Sequence, residues 1–432
     1  MRLGRFLAAA GAAMLLLLGQ GAGAGTTTKQ NGTGEFKHVI VINADDLSEH
    51  ALMQVPTPNI DALARQGTKV SNMYTSAGVC APSRAGKETG RYQERYGIFK
   101  NPPEGAAADG FKGDGIPGSA ITVAEAMGKA GVYTGKVGKW HLGDEAAQRP
   151  NAQGYDEFIG FLGGGHGYAP GTGPLLRDNK PVQFGENLTD FFAGEAASFI
   201  ARNASKRFYL ALDPNAPHEP LSATPQQMGK CTKFDDQDDR LFCGMLVGLD
   251  NLVGEVMGAV KRAGIEDDTM VVFTADNGCA QLGYCDSGVF RMGKGKPWEG
   301  GVRVPGIFWA PGVIPAGKVY TKSPISHLDL MSTSLAAVGA PIPGNLDGEN
   351  VLPWLISNSA GPARDLFFAT IPGRGSIRRG DWKLYFEGGI KLYNLEKDPD
   401  ESNDVASQNP DIVKPMANAL DQWFNEMPKP AY

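Results

Sequence analysis

The segment His38-Val39-Ile40-Val41-Ile42-Asn43 is apolar at successive rather than alternate positions, and so is Met270-Val271-Val272-Phe273-Thr274-Ala275. A strand without a polar face must be covered on both sides, which points to a mostly parallel sheet with helices packed over it. The intervening sequence keeps alternating between the two patterns. Asn59 to Gly67 reads as a helix with a capping Asn59 and a terminating Gly67, and Thr122 to Ala130 as a second helix. Tyr133 to Lys136 and Phe208 to Leu212 are extended, Asp190 to Arg202 is helical, and Asp239 to Ala263 makes one long helix before the Met270 strand. Such alternation predicts an α/β fold whose ligands bind at the carboxyl ends of the strands.

After residue 360 the pattern changes to short extended pieces at Leu366 to Ile371, Ser376 to Arg379, Trp382 to Phe386 and Lys391 to Asn394. With an amphipathic helix from Pro410 to Met427, they predict a small antiparallel sheet carrying one helix. The expected organisation is therefore a leader over 1–24, a catalytic α/β domain over 35–360 and a C-terminal subdomain over 361–432. In the leader, Arg2 and Arg5 flank the start of an apolar run from Phe6 to Leu18, and Ala22-Gly23-Ala24 offers a small-residue cleavage site. That run is shorter than the roughly 18 residues a membrane span needs. Nothing comparable is expected downstream, so the chain reads as exported, periplasmic or secreted, with no membrane span.

A formal net charge of -6 excludes a broad basic surface for nucleic acid, and an anionic substrate would need positive charge gathered locally. Two acidic clusters end the two clearest strands, Asp45-Asp46 and Asp276-Asn277. In a parallel sheet both reach the same edge, where three carboxylates and an amide oxygen form the hard donor set that Ca²⁺ or Mg²⁺ takes. Singly, an Asp after a strand is more often a turn former or a helix cap than a metal ligand. Cys80-Ala81-Pro82-Ser83-Arg84 places a cysteine at a helix start, where the field of the helix N-terminus favours a thiolate or a bound anion. The same cysteine also reads as a buried structural residue.

C-x-P-S-R and, after four further residues, Thr89-Gly90-Arg91 resemble the signature of the formylglycine-dependent sulfatases, arylsulfatase-like members of the alkaline phosphatase superfamily. In that family the cysteine is oxidised to formylglycine, whose hydrate is the nucleophile. Five further segments are similar to the family's motifs in the same order: Asn43-Ala44-Asp45-Asp46, Gly138-Lys139-Trp140-His141-Leu142-Gly143, Pro217-His218-Glu219-Pro220, Thr274-Ala275-Asp276-Asn277-Gly278, and Gly293-Lys294 through Glu299-Gly300-Gly301 to Pro305. The tail resembles it too, at Ser376 to Leu384 and Leu392 to Pro399. Lys87-Glu88 depart from the pattern, since relatives usually carry apolar residues there; the expected effect is on helix packing rather than on chemistry.

The resemblance implies a large mixed, mostly parallel sheet and a sulfuric ester hydrolase. It assigns Asp45, Asp46, Asp276, Asn277 and the modified Cys80 to a Ca²⁺ or Mg²⁺ ion, and the sulfate oxygens to Arg84, Lys139 and Lys294. His218 would serve the leaving alcohol and His141 would take a proton from the formylglycine hydrate. The implied partners are a sulfated carbohydrate or other sulfate ester, and a formylglycine-generating or anaerobic sulfatase-maturating enzyme. His166, in a glycine-rich loop from Phe161 to Tyr168, reads either as part of a sugar subsite or as plain surface. A phosphoester or phosphonate monoester hydrolase of the same superfamily and a non-catalytic binder of sulfated glycans remain as alternatives.

Other motifs do not hold up. Gly288 to Lys294 has P-loop spacing but is followed by Gly295 where Ser or Thr is required, and Gly113 to Gly118 has no strand before it. His38, His50 and His327 are expected to be structural. Export permits disulfides. With Cys80 set aside, the other four of the five cysteines have three possible pairings; Cys231 with Cys243 and Cys279 with Cys285 closes short loops. Asn31, Asn187 and Asn203 stand in glycosylation sequons.

Overall fold

The computed structural model describes residues 35–102, 115–280 and 282–431. The leader over 1–24, the Asn31 sequon and the start of the Gly113 to Gly118 stretch lie outside them. Ten strands form the main sheet: β1 (His38–Ala44), β2 (Thr68–Val70), β3 (Tyr133–Lys139), β4 (Glu157–Phe161), β5 (Leu175–Arg177), β6 (Lys180–Val182), β7 (Phe208–Asp213), β8 (Thr269–Ala275), β9 (Ile307–Trp309) and β10 (Lys318–Tyr320). Their spatial order is β10-β2-β9-β8-β1-β7-β3-β4-β5-β6. The central run from β8 to β4 is parallel, and antiparallel pairing enters through β9, β5 and β6.

Every residue of β1 and β8 is buried, as their unbroken apolar sequence requires. Each large aliphatic side chain enclosed in this way contributes roughly 1.5–3 kcal/mol. The register then places the chemistry. Ala44 pairs with Ala275 and Gly138 with Asp213, so Asp45, Asp213, Asp276 and Lys139 reach one edge of the sheet together. Only glycine fits at 138, where φ is +107° and a Cβ would lie 2.0 Å from the Asp213 carbonyl oxygen.

Helices cover the sheet: α1 (Pro58–Gln66), α2 (Cys80–Thr89), α3 (Val123–Lys129), α4 (Leu188–Asn203) and α5 (Gln237–Arg262). Asn59 does not cap α1. It lies inside the first turn, and the cap is the carboxylate of Asp250 on α5, which accepts from the Asn59 and Ile60 amides at 2.9 and 2.8 Å. Gly67 is extended rather than left-handed; a Cβ there would lie 2.4 Å from the Phe308 carbonyl oxygen. Contrary to expectation, one downstream segment, α5, is long and apolar enough to cross a membrane. Its apolar stretch is mostly buried within the protein, which makes it a core helix. Asn203 is buried and donates to the Phe199 carbonyl, so it is no glycosylation acceptor.

The tail forms a second, antiparallel sheet of β11 (Asp365–Ile371), β12 (Arg374–Arg379), β13 (Trp382–Phe386) and β14 (Ile390–Asn394). Met416, Leu420 and Trp423 of α6 (Pro410–Glu426) pack on it. Lys383 of β13, fully buried, pairs with Glu299 at 2.9 Å and Glu401 at 3.3 Å, and Trp298 stacks on Tyr385 at 4.0 Å. The tail thereby grips the loop that carries Lys294. Disulfides join Cys231 to Cys243 and Cys279 to Cys285, and Cys80 is free.

Glu94 follows α2 in a short 3₁₀ turn, and burial pushes its carboxyl up from 4.5 to about 8. Its folded value lies above its unfolded one, so its contribution to stability is present below about pH 4.5 and is lost as pH rises through about 8. Glu94→Gln should therefore raise the melting temperature at pH 8.5 while changing it little at pH 5, read by thermal unfolding at both pH values. An equal effect at both pH values would contradict this.

Candidate active site

Helix α2 begins at Cys80, with Pro82 in its first turn, where the missing N–H has no intrahelical partner to lose. All ten residues of α2 are buried, and Gly90 ends it in the left-handed region at φ +62°. One turn of this helix therefore presents Cys80 and Arg84 together at the sheet edge. Cys80 Sγ lies 3.6 Å from Asp45 Oδ1 and 3.9 Å from Asp46 Oδ1. Burial pushes the thiol up, and the Asp276, Asp45 and Asp46 carboxylates add to it against the opposing pull of Lys139.

Around the cysteine the acidic residues are interlocked. The Asp46 amide donates to Asp276 Oδ1 at 3.1 Å, and Asn277 Nδ2 donates to Asp46 Oδ1 at 2.7 Å. Arg84 Nε donates to Asp276 Oδ2 at 2.9 Å, Lys139 Nζ to Asp45 Oδ2 at 2.6 Å, and Lys294 Nζ to Asp46 Oδ2 at 2.7 Å. His218 Nε2 is 3.7 Å from the same Asp46 oxygen. Burial disfavours charge on Lys139, yet its anionic neighbours, Asp45 foremost, together hold the ammonium above its ordinary value. Asp46 and His141 both adopt left-handed backbone, φ +62° and +60°, a conformation that costs about 1–3 kcal/mol outside glycine and collects at functional sites.

The site has a floor and a mouth. Arg84 and Lys139 are essentially inaccessible, whereas Lys294 and His218 each keep 20% of their side chains exposed. His141 is buried, its Nδ1 has no hydrogen-bond partner, and burial with the Lys139, Arg84 and Lys294 cations holds it well below its ordinary value, as the neutral imidazole. Gly164 and Gly165 run past the histidines: a Cβ on Gly164 would come within 2.9 Å of His141 Nε2, and one on Gly165 within 3.6 Å of His218. The ring of His166 itself packs between Phe161 and Phe184, with Nδ1 against the Gly167 carbonyl. Tyr168 donates to the His218 carbonyl at 2.8 Å and Asn215 Nδ2 to the His166 carbonyl at 2.9 Å, which fix the rim.

The donor chemistry suits a hard divalent cation. One ligand atom from each of Asp45, Asp46, Cys80 and His218 falls within 4.8 Å of the others, and Asp276 and Asn277 adjoin that group. Asn277 Oδ1 is buried without a hydrogen-bond partner, as an amide oxygen waiting for a cation would be. Carboxylate and amide oxygens favour Ca²⁺ or Mg²⁺.

Sequence reading missed the residues behind Arg84. Asp213, Lys87, Glu88 and Lys136 are all buried and mutually paired. Lys87 and Glu88 thus pair with Asp213 and Lys136 behind Arg84, outside the group of residues around Cys80. Asp213 carried a usable signal: like Asp45 and Asp276, it stands at the carboxyl end of a buried strand. His327, expected to be structural, is buried and contacts Thr274 Oγ1 at 3.0 Å.

A family model for sulfatases matches residues 37–340. Arylsulfatase A of Homo sapiens is 30% identical over 455 residues, covering 88% of this chain and 86% of that protein. N-acetylgalactosamine-6-sulfatase of Homo sapiens is 32% identical, covering 72% and 63%. Among solved structures, Ps i-CgsB in complex with k-i-k-neocarrahexaose superposes with a TM-score of 0.87 at 32% identity, over 92% of this chain and 94% of that one. A phosphonate monoester hydrolase from Silicibacter pomeroyi shares the fold at 19% identity and TM-score 0.65, over 90% and 94%.

Calcium or magnesium should raise the melting temperature of the purified protein. At a hundredfold excess over Kd the gain is about 2.7 kcal/mol. Chelation should reverse it and Asn277→Ala should show little of it. A melting temperature indifferent to both ions would contradict the assignment of the oxygen donors.

Proposed function

The chain belongs to the sulfatase family of the alkaline phosphatase superfamily and is a sulfuric ester hydrolase, and on that premise we propose that it removes sulfate from a sulfated carbohydrate with a formylglycine made from Cys80. The observation that carries this reading is the arrangement of charge by depth. Arg84 and Lys139 form a cationic floor beside Cys80, and Lys294 and His218 stand at the mouth. A sulfate group fits the floor and an alcohol leaves through the mouth.

A sulfate ester repels nucleophiles with its own oxygens and carries a poor leaving group. Arg84, Lys139 and Lys294 neutralise those oxygens. Asp45, Asp46, Asp276 and Asn277 would hold calcium or magnesium, which would supply further positive charge and activate the nucleophile. Formylglycine at position 80, hydrated, supplies the attacking hydroxyl. His218, at the mouth, gives a proton to the departing alcohol oxygen. His141, held neutral in the buried wall, accepts the proton whose removal frees inorganic sulfate.

The sugar class is supported by the relatives, one named for N-acetylgalactosamine 6-sulfate ester cleavage and one bound to a carrageenan oligosaccharide. The glycine strip at Gly163 to Gly165 passes close beside both histidines, with His166 behind it on the rim. Residues 35–360 act as the catalytic domain and 361–432 as its brace, through Lys383. The leader over 1–24 directs export to the periplasm or outside the cell, where a sulfated polysaccharide is met. A formylglycine-generating or anaerobic maturating enzyme completes the site.

Mass spectrometry of the Cys80 peptide from the native source should find the aldehyde or its hydrate. Cys80→Ala should fold and lose at least about 1,000-fold in turnover of sulfated oligosaccharides. An unmodified thiol in active protein, or near-native turnover by Cys80→Ala, would overturn the nucleophile.

A further inference from the structure

Arg84 is held by two carboxylates with different duties. Asp276 accepts from Nε and belongs to the proposed ion site. Asp213 accepts from Nη1 at 3.0 Å and lies outside it. Nη2 approaches Asp276 Oδ2 at 2.8 Å yet makes no hydrogen bond, so its protons remain unclaimed. A cation bound by Asp276 competes with the guanidinium for that carboxylate, which leaves Nη1, held by Asp213 and more weakly by the Lys139 carbonyl at 3.4 Å, as the anchor that an ion does not weaken.

Asp213 is itself unusually well held. Oδ1 accepts from Asn43 Nδ2 at 2.8 Å, Arg84 Nη1 and Lys87 Nζ at 2.8 Å. Oδ2 accepts from Lys87 at 3.0 Å and Lys136 at 2.7 Å. Glu88 answers the two lysines at 3.3 and 3.0 Å, and Tyr155 donates to Glu88 at 2.7 Å. Every charged group here is at least 98% inaccessible. Lys87, Lys136, Glu88 and Asp213 supply two cations and two anions, so the cluster is neutral and draws no net charge from Arg84. A core that needed only apolar packing at these positions would have no reason to bury four charges.

We propose that Asp213 is a positioning residue for the sulfate-binding Arg84: it fixes the guanidinium through Nη1 so that Nη2 faces the sulfate, and Lys87, Lys136 and Glu88 fix Asp213 without consuming the charge of Arg84. This rests on the reading of the site as a sulfatase centre with Arg84 on the sulfate.

The test separates Asp213 from the cost of stranding lysines. In the double variant Glu88→Gln, Lys136→Met, which removes one anion and one cation, Asp213 keeps Arg84, Lys87 and Asn43 as partners, enough to hold it, and kcat should stay within about threefold of wild type. Adding Lys87→Leu and Asp213→Asn to that background, again one cation and one anion, should leave the melting temperature close to that of the double variant. It should lower kcat by about 10- to 100-fold and weaken inhibition by inorganic sulfate by a similar factor, with the modification of residue 80 unchanged by mass spectrometry. Equal kcat and equal sulfate inhibition in the two variants would overturn the proposal. If either variant fails to fold, a crystal structure of the wild-type enzyme with inorganic sulfate bound decides. Arg84 should keep Nη1 on Asp213 and place Nη2 on a sulfate oxygen, and an Arg84 that has left Asp213 overturns the proposal. Failure of the underlying reading looks different: the wild-type enzyme itself would then neither cleave sulfate esters nor be inhibited by sulfate.

Discussion

The parallel pairing of β1 with β8, in the register that sets Ala44 against Ala275, is the constraint on which the rest depends. A slip of one residue would turn every side chain of β1 to the other face of the sheet. It would also part Asp45-Asp46 from Asp276-Asn277. The apolar residues of both strands, buried on either face, fix that register with far more area than the site contains. The site is therefore positioned by residues that take no part in its chemistry. β7 and β3 extend the same logic outwards and deliver Asp213 and Lys139 to the edge.

At that edge the fold assembles more charge than a buried volume normally tolerates. A unit pair about 4 Å apart gains about 4 kcal/mol at an effective dielectric near 20, and taking each ion out of water costs several kcal/mol. The two nearly cancel where pairing is complete. Lys139 with Asp45, Lys294 with Asp46 and Arg84 with Asp276 meet that condition, and so do the residues around Asp213. Hence an acidic chain of net charge -6 can gather three cations beside residue 80, balanced by three carboxylates, and a bound divalent ion would make that centre net positive. The tail contributes at a distance: Lys383 pairs with Glu299, five residues from Lys294, so a second sheet supports the mouth of the site.

Much of this could be read from the sequence because it is written in contiguous segments. The unbroken apolar strands, the acidic pairs that follow them, the helix after Cys80 and the four short strands of the tail all occupy the places expected. What escaped depends on contacts between distant segments. Asp250 caps α1 from 191 residues away, so the local Asn59 signal misleads. Lys87 meets Asp213 across 126 residues, and nothing near Lys87 in sequence announces that partner. The surroundings of Cys80, buried beside carboxylates that follow β1 and β8, come from segments far from it in sequence, which the local helix signal does not reveal. Similarly α5 is apolar enough to resemble a membrane span until the elements that bury it are known.

The central claim is that the ends of β1 and β8 together hold one hard cation beside residue 80. Anomalous diffraction from crystals of the full chain grown with calcium tests it most directly. The account predicts a single strong peak about 2.3–2.6 Å from oxygens of Asp45, Asp46, Asp276 and Asn277. A peak elsewhere, with Asp45 and Asp46 still engaged only by Lys139 and Lys294, would contradict it.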